Sequence, residues 1–144
     1  MGILSRVTID ASVPDTATFG EAVDALMQTD AAVVAVVDGE GRVVGLLDER
    51  QLLRGLFPAY LGELKHTAFA DDDAGSIRAR RAKAAAEPIR KFMAEPVTVE
   101  SDASLMHIAE RFMHTALAGL AVVEDGRYRG VVNLDAFVRA IRAG

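Results

Sequence analysis

The sequence contains no cysteine. This absence excludes a disulfide framework, a thiolate metal site and a cysteine nucleophile. Long apolar runs are also missing, and none approaches the roughly 20 residues that a membrane-spanning helix needs. The segment from Met1 to Arg6 lacks the apolar region of a signal peptide. These absences predict a cytoplasmic protein with no membrane insertion.

An excess of basic residues is absent as well. The formal net charge is −5 at pH 7, so we expect no nucleic-acid partner, because such proteins usually carry a basic footprint. His66, His107 and His114 are too scattered for a zinc site, and Asp71–Asp73 favours helix capping over metal binding. Nucleophile-elbow, P-loop and metalloprotease patterns are missing. We therefore predict no metal, no catalytic cofactor and no enzymatic activity.

What the chain does contain is an internal repeat. Its 144 residues, of which 51% are hydrophobic, suffice for one domain-sized core. Residues 11–19 match 97–105, and 35–47 match 121–132, with an offset of 86 that falls to 85 after the turn at 38–41. A long match whose single length change falls in a turn indicates a duplicated structural unit. Two such units pack against each other and leave clefts with pseudo-twofold symmetry, which favour ligand binding.

Each repeat shows the same order of predicted elements, β-α-β-β-α. The runs at 32–37 and 120–123 are typical of strands buried on both faces, and apolar residues at helical spacing follow Phe19 and Leu105. The predicted fold class is therefore α/β (α+β), with two repeats packed in pseudo-twofold symmetry. The first helices have candidate N-caps at Asp15 or Thr16 and at Ser101 or Asp102. The other predicted elements of repeat 1 are a first strand at 7–13, a third strand at 42–47 and a last helix at 49–56. Their counterparts in repeat 2 are at 97–99, 127–132 and 134–141.

The repeats divide the chain into repeat 1 (residues 1–56), an inter-repeat helical segment (57–88) and repeat 2 (89–144). In the middle part, Pro58 suits the first turn of a helix over 58–64. Residues 76–86 have the Ala, Arg and Lys content of a helix that ends before Pro88. The basic cluster at 78–83 serves either an anionic ligand or partner, or is a solvated helix face.

The motifs of the two repeats resemble a tandem pair of cystathionine-β-synthase (CBS) domains, a Bateman module. The resemblance is clearest in repeat 2, in the segments 89–93, 97–99, 118–123 and 130–133. It implies a regulatory module without catalysis. It also implies an adenosine-containing ligand (AMP, ADP, ATP or S-adenosylmethionine) between the repeats, a homodimer, and control of a partner protein that the sequence does not identify.

The ligand signature of this family is Gly, two apolar residues, Thr or Ser, two further residues, and Asp. The Asp accepts both ribose hydroxyls, and the Thr or Ser lies at a helix start that suits a phosphate. In repeat 1, Asp48 stands at the hydroxyl position and Gln51 at the ribose carboxylate position. In repeat 2, Asn133 replaces the hydroxyl, Ala136 replaces the carboxylate, and Asp135 lies one residue early.

The resemblance implies a ligand in the cleft of repeat 2. Asn133 is neutral, whereas the carboxylate of Asp48 would repel a phosphate, and Gly119 would let a base approach the backbone closely. The expected contacts are Thr98, Ala118, Gly119, Leu120, Val132, Asn133, Asp135 and Ala136 in this cleft, and Leu47, Asp48 and Gln51 in the other.

Ordinary structural roles compete with these assignments. Asp135 is also explained as a helix-start acid, and Asp48 and Asn133 as N-caps of the last helices. If those roles account for the residues, the alternative function is a structural dimerisation or interaction module that has lost nucleotide binding.

Overall fold

The computed structural model describes residues 2–56 and 74–143. Two sequence predictions lie outside these described residues: the helix starting at Pro58 and the capping role of Asp71–Asp73. The helix predicted over 76–86 is confirmed and spans Ala74–Ala85.

Both repeats fold in the predicted β-α-β-β-α order, so the α/β fold class is confirmed. Repeat 1 begins with a short helix, α1 (Leu4–Val7), and continues with β1 (Ser12–Pro14), α2 (Phe19–Met27), β2 (Val33–Val37), β3 (Val43–Asp48) and α3 (Glu49–Leu56). The helix α4 (Ala74–Ala85) lies between the repeats. Repeat 2 begins with a 3₁₀ helix (Ile89–Lys91) and continues with β4 (Thr98–Glu100), α5 (Leu105–Met113), β5 (Gly119–Glu124), β6 (Arg127–Asn133) and α6 (Leu134–Ala143).

Each repeat forms a three-stranded sheet with its second strand in the centre. β1 is parallel to β2 with Ser12 opposite Ala35, and β4 is parallel to β5 with Thr98 opposite Ala121. The third strands are antiparallel to the central ones, and both ladders have an irregularity at the same repeat position, Val36/Val37 or Val122/Val123. The sequence offset is therefore also the offset of the two hydrogen-bond registers.

The central strands are the most deeply buried elements, as their β-branched sequences predict. Residues 33–36 of β2 have no exposed surface, and residues 120–123 of β5 are at most 6% exposed. The two sheets also meet each other, since β2 contacts β6 and β3 contacts β5. Burial on both faces therefore comes partly from the repeat's own helices and partly from the other sheet.

The first helices begin two or three residues later than the sequence analysis expected. Thr18, not Asp15 or Thr16, caps α2: its hydroxyl accepts the Glu21 amide (3.2 Å), and the Glu21 carboxylate accepts the Thr18 amide (2.9 Å). Ser104 caps α5 through its hydroxyl, which accepts the amide of His107. A turn that follows each first strand occupies the intervening residues. The pattern Thr-x-x-Glu at 18–21 is a capping box, which was the informative sequence signal.

The segment that precedes the first strand of each repeat packs against the other repeat. Ile9 exchanges two backbone hydrogen bonds with Val131 of β6, both of 2.8 Å. Ala94 exchanges two with Leu46 of β3, of 2.8 and 3.1 Å. Leu46 and Val131 are equivalent positions of the repeat, so the pseudo-twofold symmetry relates the two exchanges. The predicted start of the first strand is wrong at Val7, because Val7 ends α1 and only Ile9 forms a bridge before β1.

The side chains of these exchanged segments complete the core of the opposite repeat. Leu4 of α1 is 2% exposed and belongs to the cluster that contains Phe112 and Phe137 of repeat 2. On the other side, Ile89 is fully buried in the core of repeat 1. Phe92 packs on Phe19 with ring centroids 4.3 Å apart. Neither sheet therefore completes its apolar core with its own repeat alone.

Tyr128 of β6 adds a polar connection between the repeats. Its hydroxyl accepts the amide of Ala11 (2.7 Å) and donates to the carboxylate of Asp10 (2.8 Å). Burial of the ring raises the pKa of Tyr128 to about 12, so the phenol stays neutral and keeps its donor role at physiological pH.

Gly45 and Gly130 lie where the exchanged segments cross the sheets. A Cβ atom on Gly130 would overlap Cγ2 of Thr8 and lie 2.8 Å from the carbonyl oxygen of Ile9. A Cβ atom on Gly45 would overlap the side chain of Met93. Thr8 and Met93 each directly precede the residue that bridges to the opposite sheet, so the same close approach occurs twice. Glycine is needed at both positions because the crossing segment leaves no room for a side chain.

We predict that Gly130→Ala lowers the free energy of unfolding by about 2–3 kcal/mol, the upper part of the range for overpacking. The reason is that the new methyl group would press on a backbone oxygen, which cannot rotate away. Gly45→Ala should cost less, because only the flexible Met93 side chain has to move. Urea denaturation followed by circular dichroism measures both values.

Gly39→Ala is the matched control, since nothing lies within 4 Å of a Cβ atom at that position. If Gly130→Ala and Gly39→Ala proved equally stable, the close crossing of Thr8 and Ile9 over β6 would be contradicted.

Candidate ligand clefts between the repeats

Two clefts open between the repeats at pseudo-equivalent positions. Each lies where the third strand of one repeat enters its last helix, opposite the loop that precedes the central strand of the other repeat. The first, called the Asn133 cleft, has a volume of about 810 Å³ and is lined by Leu26, Met27, Thr29, Asp30, Ala31, Ala32, Glu49, Ala118, Asn133, Leu134, Asp135, Val138 and Arg139. The second, called the Asp48 cleft, has a volume of about 280 Å³ and is lined by Asp48, Arg50, Gln51, Arg54, Ala94, Glu95, Val97, Thr115, Ala116 and Leu117.

The loops that form the outer wall of each cleft have the same local structure. The Thr29 hydroxyl accepts the amide of Ala31, and the Thr115 hydroxyl accepts the amide of Leu117, both at 3.2 Å. Threonine side chains commonly stabilise such turns by bonding a backbone amide two residues ahead. Each cleft is thus built from one repeat's loop and the other repeat's helix start.

Asn133 ties the two walls of its cleft together. Its side chain is 7% exposed in total. The Oδ1 atom accepts the amide of Ala32 (2.7 Å), and the Nδ2 atom donates to the carbonyl oxygen of Asp30 (2.8 Å). The amide group therefore bonds repeat 2 to repeat 1 and does not cap α6, contrary to the N-cap role weighed in the sequence analysis. It also leaves this donor and acceptor already engaged before any ligand arrives.

Asp48 and Gln51 form a reciprocal cap at the start of α3. The Asp48 carboxylate accepts the amides of Arg50 (2.9 Å) and Gln51 (3.3 Å), and the Gln51 side-chain oxygen accepts the Asp48 amide (3.0 Å). The N-cap role predicted for Asp48 is therefore confirmed. The carboxylate takes the backbone amides that a phosphate would use at a helix start, and both side chains are at most 6% exposed.

The two clefts also differ in charge. The Asn133 cleft has three carboxylates, Asp30, Glu49 and Asp135, against the single guanidinium of Arg139, a formal charge of −2. In the Asp48 cleft, two arginines balance Asp48 and Glu95. The charge order is thus the reverse of the one expected from Asp48 alone, because the sequence analysis did not include the loop contributed by the other repeat.

The structure brings some of the sequence-predicted site residues together and separates others. Ala118, Asn133 and Asp135 line the Asn133 cleft, and Asp48 and Gln51 line the other. The remaining predicted residues lie outside both linings: Leu47, Leu120 and Val132 are fully buried, Ala136 is half-buried in α6, and Thr98 lies on the edge strand β4, where its carbonyl accepts Nε of Arg111.

Gly119 does not face open space. A Cβ atom there would lie 2.8 Å from Cγ2 of Val33 and 3.0 Å from the carbonyl oxygen of Val132. Val33 is the residue of repeat 1 that is equivalent to Gly119. Close to the pseudo-twofold axis, the side chain of Val33 therefore packs against the position where Gly119 has none. The glycine serves the contact between repeats, and the space that the sequence analysis reserved for a base is filled.

Sequence reasoning missed the residues that each cleft takes from the opposite repeat. Thr29 to Ala32 and Thr115 to Leu117 carry no signature of their own. The available signal was the repeat itself, because a pseudo-twofold axis places the loop before one central strand against the helix start of the other repeat.

We predict that Asn133→Ala lowers the free energy of unfolding by about 1–3 kcal/mol, because it removes two hydrogen bonds from partly buried backbone groups. Hydrogen exchange at the Ala32 amide should accelerate, since this N–H loses its acceptor. Asp135→Asn serves as the control, because this residue is exposed in the first turn of α6, and it should leave the Ala32 amide protected from exchange. Unchanged exchange at Ala32 in Asn133→Ala would contradict the bond between repeats.

Within residues 2–56 and 74–143, no group of three or more His, Asp or Glu side chains is arranged to hold a metal ion. Over the same ranges, none of the helices has the length and apolar character required to cross a bilayer.

Comparison with solved structures identifies the same fold in other proteins. A CBS domain-containing protein from Kribbella flavida superposes with a TM-score of 0.77 at 21% identity, covering 100% of this chain and 99% of that one. A CBS domain pair/ACT domain protein from Thermotoga maritima gives 0.66 at 19% identity, with 99% and 98% covered. Staphylococcus aureus OpuCA gives 0.63 at 19% identity, with 95% and 96% covered.

At these identities the solved structures show the fold alone. No curated protein shows significant sequence similarity to the chain. The family model of the CBS domain, in contrast, matches twice, over residues 4–57 and 89–143. These two matches cover most of the chain and coincide with the two β-α-β-β-α units. The chain therefore belongs to the CBS-domain family and consists of a tandem pair of CBS domains.

Proposed function

We propose that this CBS pair is a non-catalytic regulatory module that senses an adenosine-containing ligand in the Asn133 cleft and controls a partner protein. One observation carries the proposal: both repeats build a cleft of about 810 Å³. Ligand sites typically have about 300–1,000 Å³, so a nucleoside compound fits this volume. We also retain the sequence-based prediction that the module acts in the cytoplasm.

The position of the cleft supports a sensing role. One wall is the loop at Asp30–Ala32 of repeat 1, and the other is the start of α6 in repeat 2. A ligand between them would contact both repeats and would therefore stabilise one arrangement of the pair over others. A ligand can shift such an equilibrium only by its difference in affinity for the two states, and a site shared between two units supplies that difference.

The properties of the Asp48 cleft argue for a single ligand per chain, bound in the Asn133 cleft. Its volume of about 280 Å³ lies below the usual range for ligand sites. The reciprocal cap of Asp48 and Gln51 also occupies the amides at the start of α3. We therefore expect one site in the pair, in the cleft for which the sequence analysis also argued.

A thermal-shift screen with adenosine, AMP, ATP and S-adenosylmethionine tests the proposal. A ligand at about 100 times its dissociation constant should add about 2.7 kcal/mol to the free energy of unfolding. Ala136 lies outside the cleft lining but next to the lining residue Asp135, so we expect the longer side chain of Ala136→Asp to reach a ligand there. The variant should tighten binding about tenfold or more, because it restores the carboxylate of the family signature and a charged hydrogen bond contributes about 1.5–3 kcal/mol. Calorimetric titration measures this change.

Ala140→Asp is the matched control, since it introduces the same carboxylate in α6 one turn further from the cleft. Asn133 is best left unchanged in this test, because its bonds to Asp30 and Ala32 hold the walls together. Absence of any stabilisation, in both the wild type and Ala136→Asp, would contradict ligand sensing.

The alternative, a structural dimerisation module, is favoured by the apolar surface of repeat 2. Met106 and Met113 of α5 are 82% and 81% exposed. In α6, Ile141 is 47% exposed, whereas the exposed Leu134 and Val138 also line the Asn133 cleft. Isolated exposed apolar residues are ordinary, but two methionines exposed two turns apart on one helix are typical of an interface. We propose that a second copy of the chain covers this surface, so that the module is a homodimer with or without ligand.

We predict that Met113→Lys weakens this dimer, because a buried charge would replace an apolar contact. Light scattering at tens of micromolar should give the mass of two chains for the wild type and a lower mass for the variant. His107→Lys is the matched control, since this residue is exposed on the same helix, polar already and about 100° around the helix from Met106. A wild-type protein that is monomeric in this experiment would contradict the homodimer.

A further inference from the structure

The two clefts differ in charge at equivalent positions. Asp135, at the start of α6 in the Asn133 cleft, corresponds in the repeat to Arg50, at the start of α3 in the Asp48 cleft. Asp30, in the loop of the Asn133 cleft, corresponds to the uncharged Ala116. The last arginine is shared, because Arg139 corresponds to Arg54. The Asn133 cleft therefore has carboxylates at two positions where the Asp48 cleft has a cation or no charge.

These carboxylates line the Asn133 cleft from three elements. Asp30 comes from the loop, Glu49 from the start of α3 and Asp135 from the start of α6. All three residues are exposed to solvent, and the bonds from Asn133 to the opposite wall use the backbone of Asp30 and Ala32 and none of these carboxylates. A ligand in this cleft therefore meets a field of formal charge −2 on entry.

Two donors near the start of α6 are already engaged. The first amide, that of Leu134, donates to the carbonyl oxygen of Ala118 (2.9 Å). Asn133, which stands at the position of the family's hydroxyl, has its donor engaged with Asp30. An anionic ligand would thus meet like charges without these two donors.

We infer that Asp30, Glu49 and Asp135 determine the specificity of the Asn133 cleft, admitting a nucleoside compound that carries a cationic group and no phosphate, and excluding nucleotides. This inference rests on the proposed function, since it concerns the ligand of the same cleft. A sulfonium or ammonium group near the three carboxylates gains Coulombic attraction, whereas each phosphate charge is repelled.

Calorimetric titration of the wild-type chain with four probes tests the inference: S-adenosylmethionine (cationic), adenosine (neutral), AMP and ATP (anionic). At low ionic strength, S-adenosylmethionine should bind most tightly, adenosine less tightly, and AMP and ATP at least about tenfold more weakly than S-adenosylmethionine. Raising the salt concentration should narrow these differences, because the carboxylates are exposed and salt screens their field.

Charge variants taken from the repeat itself show which residues are responsible. Asp135→Arg places in the Asn133 cleft the residue that repeat 1 has at the equivalent position. It should reverse the preference, so that AMP binds more tightly than S-adenosylmethionine. Asp135→Asn removes the charge without adding a cation and should change the ratio of the two dissociation constants about tenfold. Arg50→Asp makes the opposite exchange in the Asp48 cleft and, as the matched control, should leave the preference unchanged.

The outcomes separate this inference from the proposed function. If ATP or AMP binds the wild type as tightly as S-adenosylmethionine, the charge selection is overturned while ligand sensing stands. If the preference exists but Asp135→Arg and Asp135→Asn do not change it, the assignment to these carboxylates is overturned. If none of the four probes binds folded wild-type protein, the proposed function fails and the inference fails with it. Circular dichroism of each variant confirms that it is folded.

Discussion

The exchange of the two leading segments is the constraint on which the rest of the structure depends. Ile9 and Ala94 each close a two-bond bridge with the third strand of the opposite sheet. Leu4 and Ile89 then complete the opposite cores. A three-stranded sheet with two helices is too small to bury its apolar surface well. Because each sheet borrows a segment from beyond its own repeat, we expect the pair to fold as one unit.

This constraint gives the glycine of the family signature a physical reason that does not involve a ligand. Gly45 and Gly130 lie under the crossing segments, where a side chain would collide with Met93 or with Thr8 and Ile9. The rest of the signature is free to change once the ligand chemistry changes, whereas the glycine is held by packing. The chain fits this division, since it retains both glycines and replaces the hydroxyl and the carboxylate in both repeats.

The two clefts differ in the hydrogen bonds made by the polar residue at the end of the third strand. Asp48 turns inward on its own helix, satisfies two amides of α3 and leaves a small cleft. Asn133 reaches across to the loop of the other repeat and leaves the larger one. A carboxylate offers only acceptors, which suits the amides of a helix start, whereas a side-chain amide also donates and pairs with a carbonyl. One change of side-chain chemistry at equivalent positions thus breaks the symmetry of the pair.

The sequence by itself determined the repeat, the order of its elements, the buried central strands and the Asp48 cap, because these follow from hydrophobic period, turn residues and contacts a few positions apart. Even the Thr18–Glu21 capping box was visible in it. Only the tertiary structure decided the exchange at Ile9, the partner of Asn133 and the acidic wall of its cleft. The bond from Asn133 to Ala32 joins residues 101 positions apart. Such contacts depend on how two twisted sheets pack across the pseudo-twofold axis, which no local pattern of residues encodes.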